Sequence, residues 1–431
     1  MERLQKLLQE DPIVIVGEPK RLPRADILEN NKAPGLFSHF TTNQLGGLAL
    51  AATLKATPQI EPSMLGHVVM GRADHAHRDC IYGARGMALE AGIPHDVPAC
   101  TVQRICASGV QGIITATTQV VVGDHLPGRP YVAAGGAESM QYPHKLPGMR
   151  GRKVGGATVK FGPIDASKLP KGTYLQDAMF MGLFDPRAGM AMANTAEELA
   201  RRFNITREQA DVFAHRSHKL AITARDNGYF DDEIEPVTNL HGDIVENDTH
   251  ILDDISMGGL AGLRVAFEEG GIITPGNASA VVDGAAAMIM CPLSAADEVG
   301  AKPIARIVSW GIAGCDPKIM GWGPVPSTRF ALENAGLKGN DISTVELNEA
   351  FAPQALACIM DFEKEFGIDP EKVNPMGNAI AMGHPLGATG AILTVTAAHR
   401  MRRLNQRYGL ITMCVGGGQG VSLIIENAEF M

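Results

Sequence analysis

The spacing of apolar residues along the chain predicts short strands that alternate with helices. Apolar positions recur with a helical period at 43–54 and 84–91, whereas 13–16, 67–70 and 99–105 are short runs of β-favouring residues. Strands and helices that alternate in this way are typical of an α/β protein. At 431 residues the chain is too long for one ordinary core, so we expect two or three compact units.

The same order of elements occurs twice, once in each half of the chain. In the first half a strand ends at Cys106, a helix of small residues follows, and the next strand leads to Gly135. In the second half we predict a strand that ends at His384, another small-residue helix, and a strand at 410–415 that leads to Gly416. The spacing from reactive residue to glycine is similar, at 29 residues in the first half and 32 in the second. We interpret the chain as two related α/β halves.

Residues 138–275 differ from both halves because they are charged and helical. Two helix-start signatures lie there, at 194–197 and 206–209, and the second opens a helix that Asn227-Gly228 ends. We interpret this region as a lid or loop domain inserted into the first half. The predicted organisation is a first half at 1–137 that resumes at 276–292, the loop domain at 138–275, and the second half at 293–431.

Charge and cysteine content narrow the class of protein. The formal net charge of −9 provides no basic excess to neutralise phosphates, so we do not expect a nucleic-acid partner. Seven scattered cysteines without a CxxC pair indicate neither a disulfide framework nor a metal site, and they are typical of a reducing compartment. The N-terminus lacks the apolar segment of a secretory signal. We therefore expect a cytoplasmic protein.

The longest uncharged run, 105–123, raises the question of a membrane span. It contains serine, glutamine, threonine and glycine and has no apolar flanks, so we predict a buried helix and no membrane span. Its small residues suit tight packing against a neighbouring element.

A cysteine and a histidine at corresponding places in the two halves could form a nucleophile and its base. Cys106 lies where a strand is predicted to give way to a helix, and the free N–H groups of a helix start lower a thiol pKa and can hold an oxyanion. His384 stands among glycines, and histidine is the natural base for a cysteine at neutral pH. Taken alone, a lone cysteine is more often structural, and an isolated histidine is more often a surface or satisfied core residue. The glycines favour catalysis because they leave room for a ligand.

Two further positions could complete such a site. Cys414 precedes three glycines, which makes the Gly416 N–H a candidate oxyanion donor and the Cys414 thiol a second proton-transfer group. A tight hairpin alone would explain the same glycines. Asn348 follows a strand at 345–347 and precedes an apolar helix. It is therefore either the N-cap of that helix or an amide that positions a water or a carbonyl oxygen.

The motifs around these residues resemble those of the thiolase family. CASG at 106–109, NEAFA at 348–352, GHPLGATG at 383–390 and CVGGGQG at 414–420 occur in the order and approximate spacing of that family, together with GNAS at 276–279 and MGWGPVP at 320–326. The resemblance extends from about residue 35 to the C-terminus. It implies a five-layer αβαβα fold of two similar halves with a loop domain, in a homodimer or homotetramer.

The resemblance also implies a two-step acyl transfer with coenzyme A as a substrate and no permanently bound cofactor. Cys106 would attack the 3-keto carbon of a 3-oxoacyl-CoA to form an acyl-cysteine, and Cys414 would exchange a proton with the α-carbon of acetyl-CoA. His384 would activate Cys106 and, with a water held by Asn348, contact the thioester oxygen. The N–H groups of Cys106 and Gly416 would form a second oxyanion hole.

Binding residues and partners also follow from the resemblance. Ser279 is expected to contact the pantetheine of coenzyme A, and Met192, Met320 and Phe351 to line the pocket. The candidates for holding its phosphates lie on helix faces of the loop domain, where charge is the ordinary expectation; they are Arg201, Arg202, Arg216 and Lys219. A hetero-complex with other enzymes of β-oxidation is a further partner that the family allows.

One departure from the family pattern bears on the substrate. Short-chain members carry a histidine just before the methionine that corresponds to Met192, whereas this chain has Ala191, which favours a bulkier acyl group. A biosynthetic acetoacetyl-CoA thiolase is the alternative. A 3-oxoacyl-synthase-type condensing enzyme is less favoured because it would use a second histidine where this chain has Asn348 and Cys414. A non-catalytic acyl-CoA or lipid-binding relative would have lost a catalytic residue.

Overall fold

The computed structural model describes residues 2–28, 35–77, 79–141 and 176–431, together with short strands at 144–145, 153–154 and 157–158. Within these residues one mixed sheet contains ten strands. They are β1 (Ile13–Arg21), β2 (Ala25–Asp26), β3 (Leu65–Gly71), β4 (Ala99–Val102), β5 (Tyr131–Glu138), β6 (Val282–Pro292), β7 (Pro303–Gly314), β8 (Ile342–Leu347), β9 (Tyr408–Val415) and β10 (Gln419–Asn427). Their order is β8-β9-β10-β7-β1-β6-β5-β3-β4, with β2 paired to β6. The pairs β3–β4, β3–β5 and β8–β9 are parallel, and the others are antiparallel.

Helices lie on both faces of this sheet. In the described residues the α-helices are α1 (Glu2–Glu10), α2 (Thr42–Lys55), α3 (Gly83–Glu90), α4 (Ser108–Val122), α5 (Ala178–Gly182), α6 (Met192–Phe203), α7 (Arg207–Asp226), α8 (Met257–Ala261), α9 (Leu293–Val299), α10 (Pro324–Ala335), α11 (Ala352–Asp361), α12 (Ala379–Met382) and α13 (Leu386–Arg403). In the described part of the excursion between β5 and β6, the helices α5, α6, α7 and α8 occur together with short two-residue strand pairs.

Helices α4 and α13 pack against each other in the middle of the molecule. Their buried residues, such as Val110 and Ile392, share one core with Val132 of the first half and Met413 of the second half. The opposite face of the first-half strands packs on α2 and α3, and that of the second-half strands packs on α10 and α11. The sheet is continuous through β1, which pairs with β6 and β7. The five layers of the predicted αβαβα fold are therefore present.

One stretch in the described part of the chain, Ile105–Val122, has the length and mean hydropathy of a membrane-spanning helix. It contains α4, whose residues Val110, Ile113 and Ala116 are completely buried in the central core. The stretch is therefore a core helix, as predicted.

The segment before His384 is a helix and not the predicted strand. Residues 379–382 form α12, because the Asn378 side chain accepts the N–H of Ala379 and Gly383 ends the turn at a φ of 92°. His384 therefore follows the end of a one-turn helix and precedes α13.

In the loop region one of the two predicted helix starts is correct. The hydroxyl of Thr206 accepts the Gln209 N–H in a capping box, and α7 ends just before Asn227. The other start lies earlier than predicted, because α6 begins at Met192 and Asn194 is inside the helix.

Candidate active site

Cys106 lies in a single 3-10 turn, Ile105–Ala107, between β4 and α4. Ile105 has a positive φ of 45°, which is unusual for a β-branched residue and marks a strained turn. Burial raises the pKa of the Cys106 thiol to about 11, although the backbone N–H groups of Gly416 and Cys106 lower it. The expected lowering by backbone N–H groups is present, but burial outweighs it, so the net change in the pKa is upward. The thiol is neutral near pH 7 and needs a base.

His384 is buried beside the start of α13 and can act as that base. Its backbone N–H donates to the Ala280 carbonyl oxygen at 3.0 Å, and its Nδ1 lies 2.6 Å from the Thr389 hydroxyl. Because this hydroxyl donates to the Pro385 carbonyl oxygen, we assign the imidazole proton to Nδ1, which leaves Nε2 as an acceptor. Burial, with a contribution from Arg24, lowers the pKa of His384 to about 3, so the imidazole is neutral.

Asn348 faces this imidazole from just beyond β8. Its Nδ2 lies 3.4 Å from Nε2 of His384, and its Oδ1 is buried without a hydrogen-bond partner among the described residues. A buried amide oxygen in this state requires a donor such as a water molecule. The N-cap of α11 is Phe351, so the interpretation of Asn348 as a helix cap is wrong. Its geometry is that of an amide that positions a water.

Cys414 and the glycines after it close the site from the second half. Cys414 is completely buried in β9, and burial together with the nearby Cys106 raises its pKa well above the ordinary value. Gly417 and Gly418 have φ values of 82° and 81° in the tight β9–β10 hairpin, so the turn requires them. Gly416 instead places its N–H against the Cys106 thiol. The hairpin accounts for Gly417 and Gly418, and the role of Gly416 as an oxyanion donor stays a prediction that this contact is compatible with.

One cavity of about 150 Å³ brings these groups together. Its walls include the predicted reactive side chains and the predicted binding residues, which are Cys106, His384, Cys414, Met192, Ser279, Met320 and Phe351. Asn348 and Gly416 reach the same place through their contacts with His384 and the Cys106 thiol. The predicted catalytic residues and the predicted pocket residues thus line this cavity or contact its lining.

Several apolar residues of this cavity are not predicted from the sequence. They include Met140, Leu183, Phe267 and Leu386. Leu386 lies two residues after His384 within the GHPLG motif, and that position could have indicated it. The other three come from segments without a motif, so only the fold identifies them.

The basic residues considered for phosphate binding lie outside the cavity. Arg201 forms ion pairs with Glu198 and Glu268, Arg202 pairs with Glu198, and Arg216 donates to a backbone carbonyl oxygen. The geometry assigns none of these three to a phosphate. Among the described residues, no group of three or more histidines, cysteines, aspartates or glutamates is arranged to hold a metal ion.

Comparison with known proteins identifies the class to which this fold and site belong. The thiolase N-terminal domain matches residues 25–294, and the thiolase C-terminal domain matches residues 301–427. The chain therefore belongs to the thiolase family. It is an acyltransferase that uses coenzyme A as a substrate.

Two similar proteins and one similar crystal structure support this assignment. The beta-ketothiolase BktB of Cupriavidus necator is 41% identical over 389 residues, which are 89% of this chain and 92% of that protein. The mitochondrial 3-ketoacyl-CoA thiolase of Bos taurus is 39% identical over 397 residues, which are 91% and 94% of the two chains. The crystal structure of human mitochondrial 3-ketoacyl-CoA thiolase matches with a TM-score of 0.86 at 36% identity, covering 97% of this chain and 99% of that chain. These likenesses confirm the predicted fold and class of enzyme, whereas the roles of single residues stay predictions.

Proposed function

We propose that this thiolase cleaves 3-oxoacyl-CoA with coenzyme A, through an acyl-cysteine on Cys106, into acetyl-CoA and a shortened acyl-CoA. The observation that carries the proposal is the convergence of Cys106, His384 and Cys414 on one cavity. The Cys106 thiol and the His384 imidazole are both neutral there. Such a pair reacts by transferring a proton, which Nε2 of His384 accepts as the sulfur attacks.

The reaction has two steps. In the first, His384 takes the proton of Cys106 and the sulfur attacks the 3-keto carbon. The bond between C2 and C3 breaks, its electron pair forms the enolate of acetyl-CoA, and Cys414 protonates C2. In the second, the thiol of coenzyme A gives its proton to the Cys414 thiolate and attacks the acyl-cysteine. Cys106 leaves and recovers its proton from His384.

Negative charge develops on two different oxygens, so two sets of donors are needed. The N–H groups of Cys106 and Gly416 point to the thiol, and in this proposal they hold the oxygen of the tetrahedral intermediate on the cysteine. The protonated Nε2 of His384 and a water held by Asn348 stabilise the enolate oxygen. The unpartnered Oδ1 of Asn348 supports the placement of that water.

We propose an acyl group longer than that of acetoacetyl-CoA. Ala191 lines the catalytic cavity at the position where a bulkier histidine is expected in short-chain members. A second cavity of about 300 Å³ adjoins the first at Leu386 and is lined also by Ile105, Ala73 and Met179, so it offers space beyond the nucleophile. The biosynthetic alternative has support too, because an acetyl-CoA acetyltransferase of Cupriavidus necator is 37% identical over 402 residues.

Steady-state thiolysis of a series of 3-oxoacyl-CoA substrates tests both parts of the proposal. The series runs from acetoacetyl-CoA to long chains, and condensation of two acetyl-CoA molecules is measured beside it. We expect kcat/KM to be greatest for a chain longer than acetoacetyl. A maximum at acetoacetyl-CoA with efficient condensation would favour the biosynthetic alternative. Absence of CoA-dependent cleavage at every chain length would contradict the thiolase activity itself.

We also propose that region 138–275 closes over the site and binds coenzyme A. Phe180, Met192 and Phe267 of this region line the catalytic cavity, which supports the closing role. The enzyme is proposed to be a cytoplasmic homodimer or homotetramer, with other β-oxidation enzymes as candidate partners. Light scattering of the purified protein measures the number of chains.

A further inference from the structure

Glu138 is a completely buried carboxylate at the end of β5 that the acyl-transfer steps do not use. It accepts three backbone N–H groups. Oε2 accepts from Gly387 at 2.8 Å and from Ala73 at 2.9 Å, and Oε1 accepts from Asp74 at 3.1 Å. The carboxylate therefore connects the first turn of α13 with the loop that follows β3.

The contact between β5 and α13 leaves no room for a side chain at Gly136 or Gly387. A Cβ on Gly387 would lie 2.7 Å from Oε2 of Glu138, and a Cβ on Gly136 would lie 2.1 Å from the Gly387 carbonyl oxygen. The turn that begins α13 also contains Thr389, whose hydroxyl holds Nδ1 of His384. The orientation of the base therefore depends on where this turn is fixed.

Glu138 lies in a group of charged and titratable residues. Those around it are Arg72, Asp74, His77 and Asp79 in the segment after β3, Cys106 before α4, and Asp283 on β6. Arg72 binds Asp74 and Asp79 with its guanidinium, so Glu138 has no direct ion pair among the described residues. The negative charge of Glu138 contributes to the high pKa of Cys106. The three N–H groups are the direct stabilisation of its ionised form.

We propose that Glu138 is a positioning residue of the acyl-transfer site, which fixes the start of α13 and so holds the His384 imidazole in register with Cys106. The proposal rests on the function proposed above for Cys106 and His384. Only the carboxylate offers two acceptor oxygens to three donors, because a protonated carboxyl group loses acceptor capacity. Burial raises the pKa of Glu138 to about 7, with Asp74 contributing. The ionised carboxylate with its three N–H hydrogen bonds, which we call the clamp, therefore forms as the pH rises through neutrality.

Glu138→Gln tests the clamp, because an amide nitrogen cannot accept an N–H group. We expect the rate of Cys106 acylation by acyl-CoA to fall roughly 10- to 100-fold above neutral pH, the loss typical of a misplaced catalytic group. KM for acyl-CoA stays unchanged, since no substrate contact is removed. The wild-type rate rises as the pH passes about 7, in line with the pKa of Glu138, and this rise is absent from the variant. Stopped-flow measurement of acylation over a pH series gives both results.

Glu426→Gln is the matched control, because Glu426 is also a completely buried carboxylate of the sheet but binds Arg306 and Arg407 outside the cavity. We expect it to lower the melting temperature and to leave the acylation rate and its pH profile unchanged. A wild-type rate and pH profile in Glu138→Gln, or the same loss in Glu426→Gln, would overturn the proposal.

Two further measurements keep the test decisive. If Glu138→Gln does not fold, Glu138→Asp is the second variant, because it keeps the charge but has a shorter side chain. Slower acylation that still rises with pH would support the clamp. Acylation at the wild-type rate would overturn it. The inactivation rate with iodoacetamide reports deprotonation of Cys106 and requires no thiolase substrate. We expect slower inactivation of Glu138→Gln, because a misplaced His384 takes the thiol proton less readily; faster inactivation, the result of removing a negative charge near the thiol, would overturn the proposal. This measurement therefore tests Glu138 even if the wild-type enzyme cleaves no 3-oxoacyl-CoA, an outcome that concerns the proposed function alone.

Discussion

Cys106 and His384 owe their protonation states to burial rather than to a neighbouring opposite charge. Burial raises the pKa of the Cys106 thiol to about 11 and lowers that of His384 to about 3. A thiolate–imidazolium pair is therefore not formed in advance, and the proton moves as the sulfur bonds to the substrate. The same cause keeps the Cys414 thiol protonated, which suits a group that delivers a proton to carbon.

Replacing each cysteine separates the two proton transfers. Cys414→Ala is expected to retain acylation of Cys106 by acyl-CoA but to slow α-proton exchange of acetyl-CoA by about 100-fold or more, because the proposed proton donor to the α-carbon is lost. Mass spectrometry of the acyl-enzyme and NMR of deuterium incorporation measure the two effects. Cys106→Ala is the control and forms no acyl-enzyme. Undiminished exchange in Cys414→Ala would show that another group handles the α-proton.

Among the secondary-structure elements, those with a sustained local pattern could be predicted from the sequence. The small-residue helix predicted after His384 and the strand predicted at 410–415 correspond to α13 (Leu386–Arg403) and β9 (Tyr408–Val415). Residues 379–382 could not be assigned correctly, because four small apolar residues fit either structure and the side chain of Asn378 makes the choice. The helix α1 has no predicted counterpart.

The catalytic part of the site could be predicted because each of its motifs lies next to the end of an element. Asn348 follows β8 and Cys414 lies at the end of β9, and these two strands are paired in parallel. Cys106 follows β4 at the other end of the strand order and reaches them because its turn packs against α13 and β9. The charge states could not be predicted, since they depend on burial by distant segments. Wall residues such as Met140 and Phe267 have no local signal for the same reason.

The β9–β10 hairpin allows a matched test of its glycines. Gly417 and Gly418 both have a positive φ, but a Cβ would meet nothing within 4 Å at Gly417 and the Cys315 carbonyl oxygen at 2.3 Å at Gly418. Gly417→Ala should cost only the ~1–2 kcal/mol of a left-handed residue. Gly418→Ala should cost more and also slow acylation, because the shifted loop moves the Gly416 N–H away from Cys106. Urea unfolding and acylation rates compare the two variants, and equal effects on both would contradict the steric argument.

At the scale of the whole molecule, buried ion pairs join the end of β1 and the residues just after it to the loop region. Arg21 binds Glu233 at 2.6 Å and Asp248 at 2.8 Å, and Arg24 binds Asp248 at 3.1 Å. Although burial alone would raise the pKa of Asp248, the two arginines lower it to about 2. Stability from this carboxylate is therefore present above the ordinary aspartate pKa and is lost as the pH falls towards 2. The network limits stability in acid, where breaking a buried pair leaves an uncompensated charge.

Other buried carboxyl groups reduce stability as the pH rises from weakly acidic values to about 8. Burial raises the pKa values of Asp283, Glu138 and Glu346 to about 6, 7 and 8. The folded protein keeps these protons at pH values where the unfolded chain has lost them. Each group therefore contributes stability that is complete below its ordinary pKa and is lost as the pH rises through its folded value. The free energy of unfolding should decrease by up to ~1.4 kcal/mol per pH unit for each group.

Glu346→Gln isolates one of these contributions. Oε2 of Glu346 accepts from Asn378 at 3.0 Å and Oε1 has no partner, so an uncharged glutamine can keep the hydrogen bond. We expect urea unfolding between about pH 5 and about pH 9 to show a smaller loss of stability in this variant than in the wild type, because one buried ionisation is removed. Glu371→Gln is the control, since that side chain is 86% exposed. If the free energy of unfolding falls equally with pH in Glu346→Gln and in the wild type, ionisation of Glu346 does not cause the loss of stability.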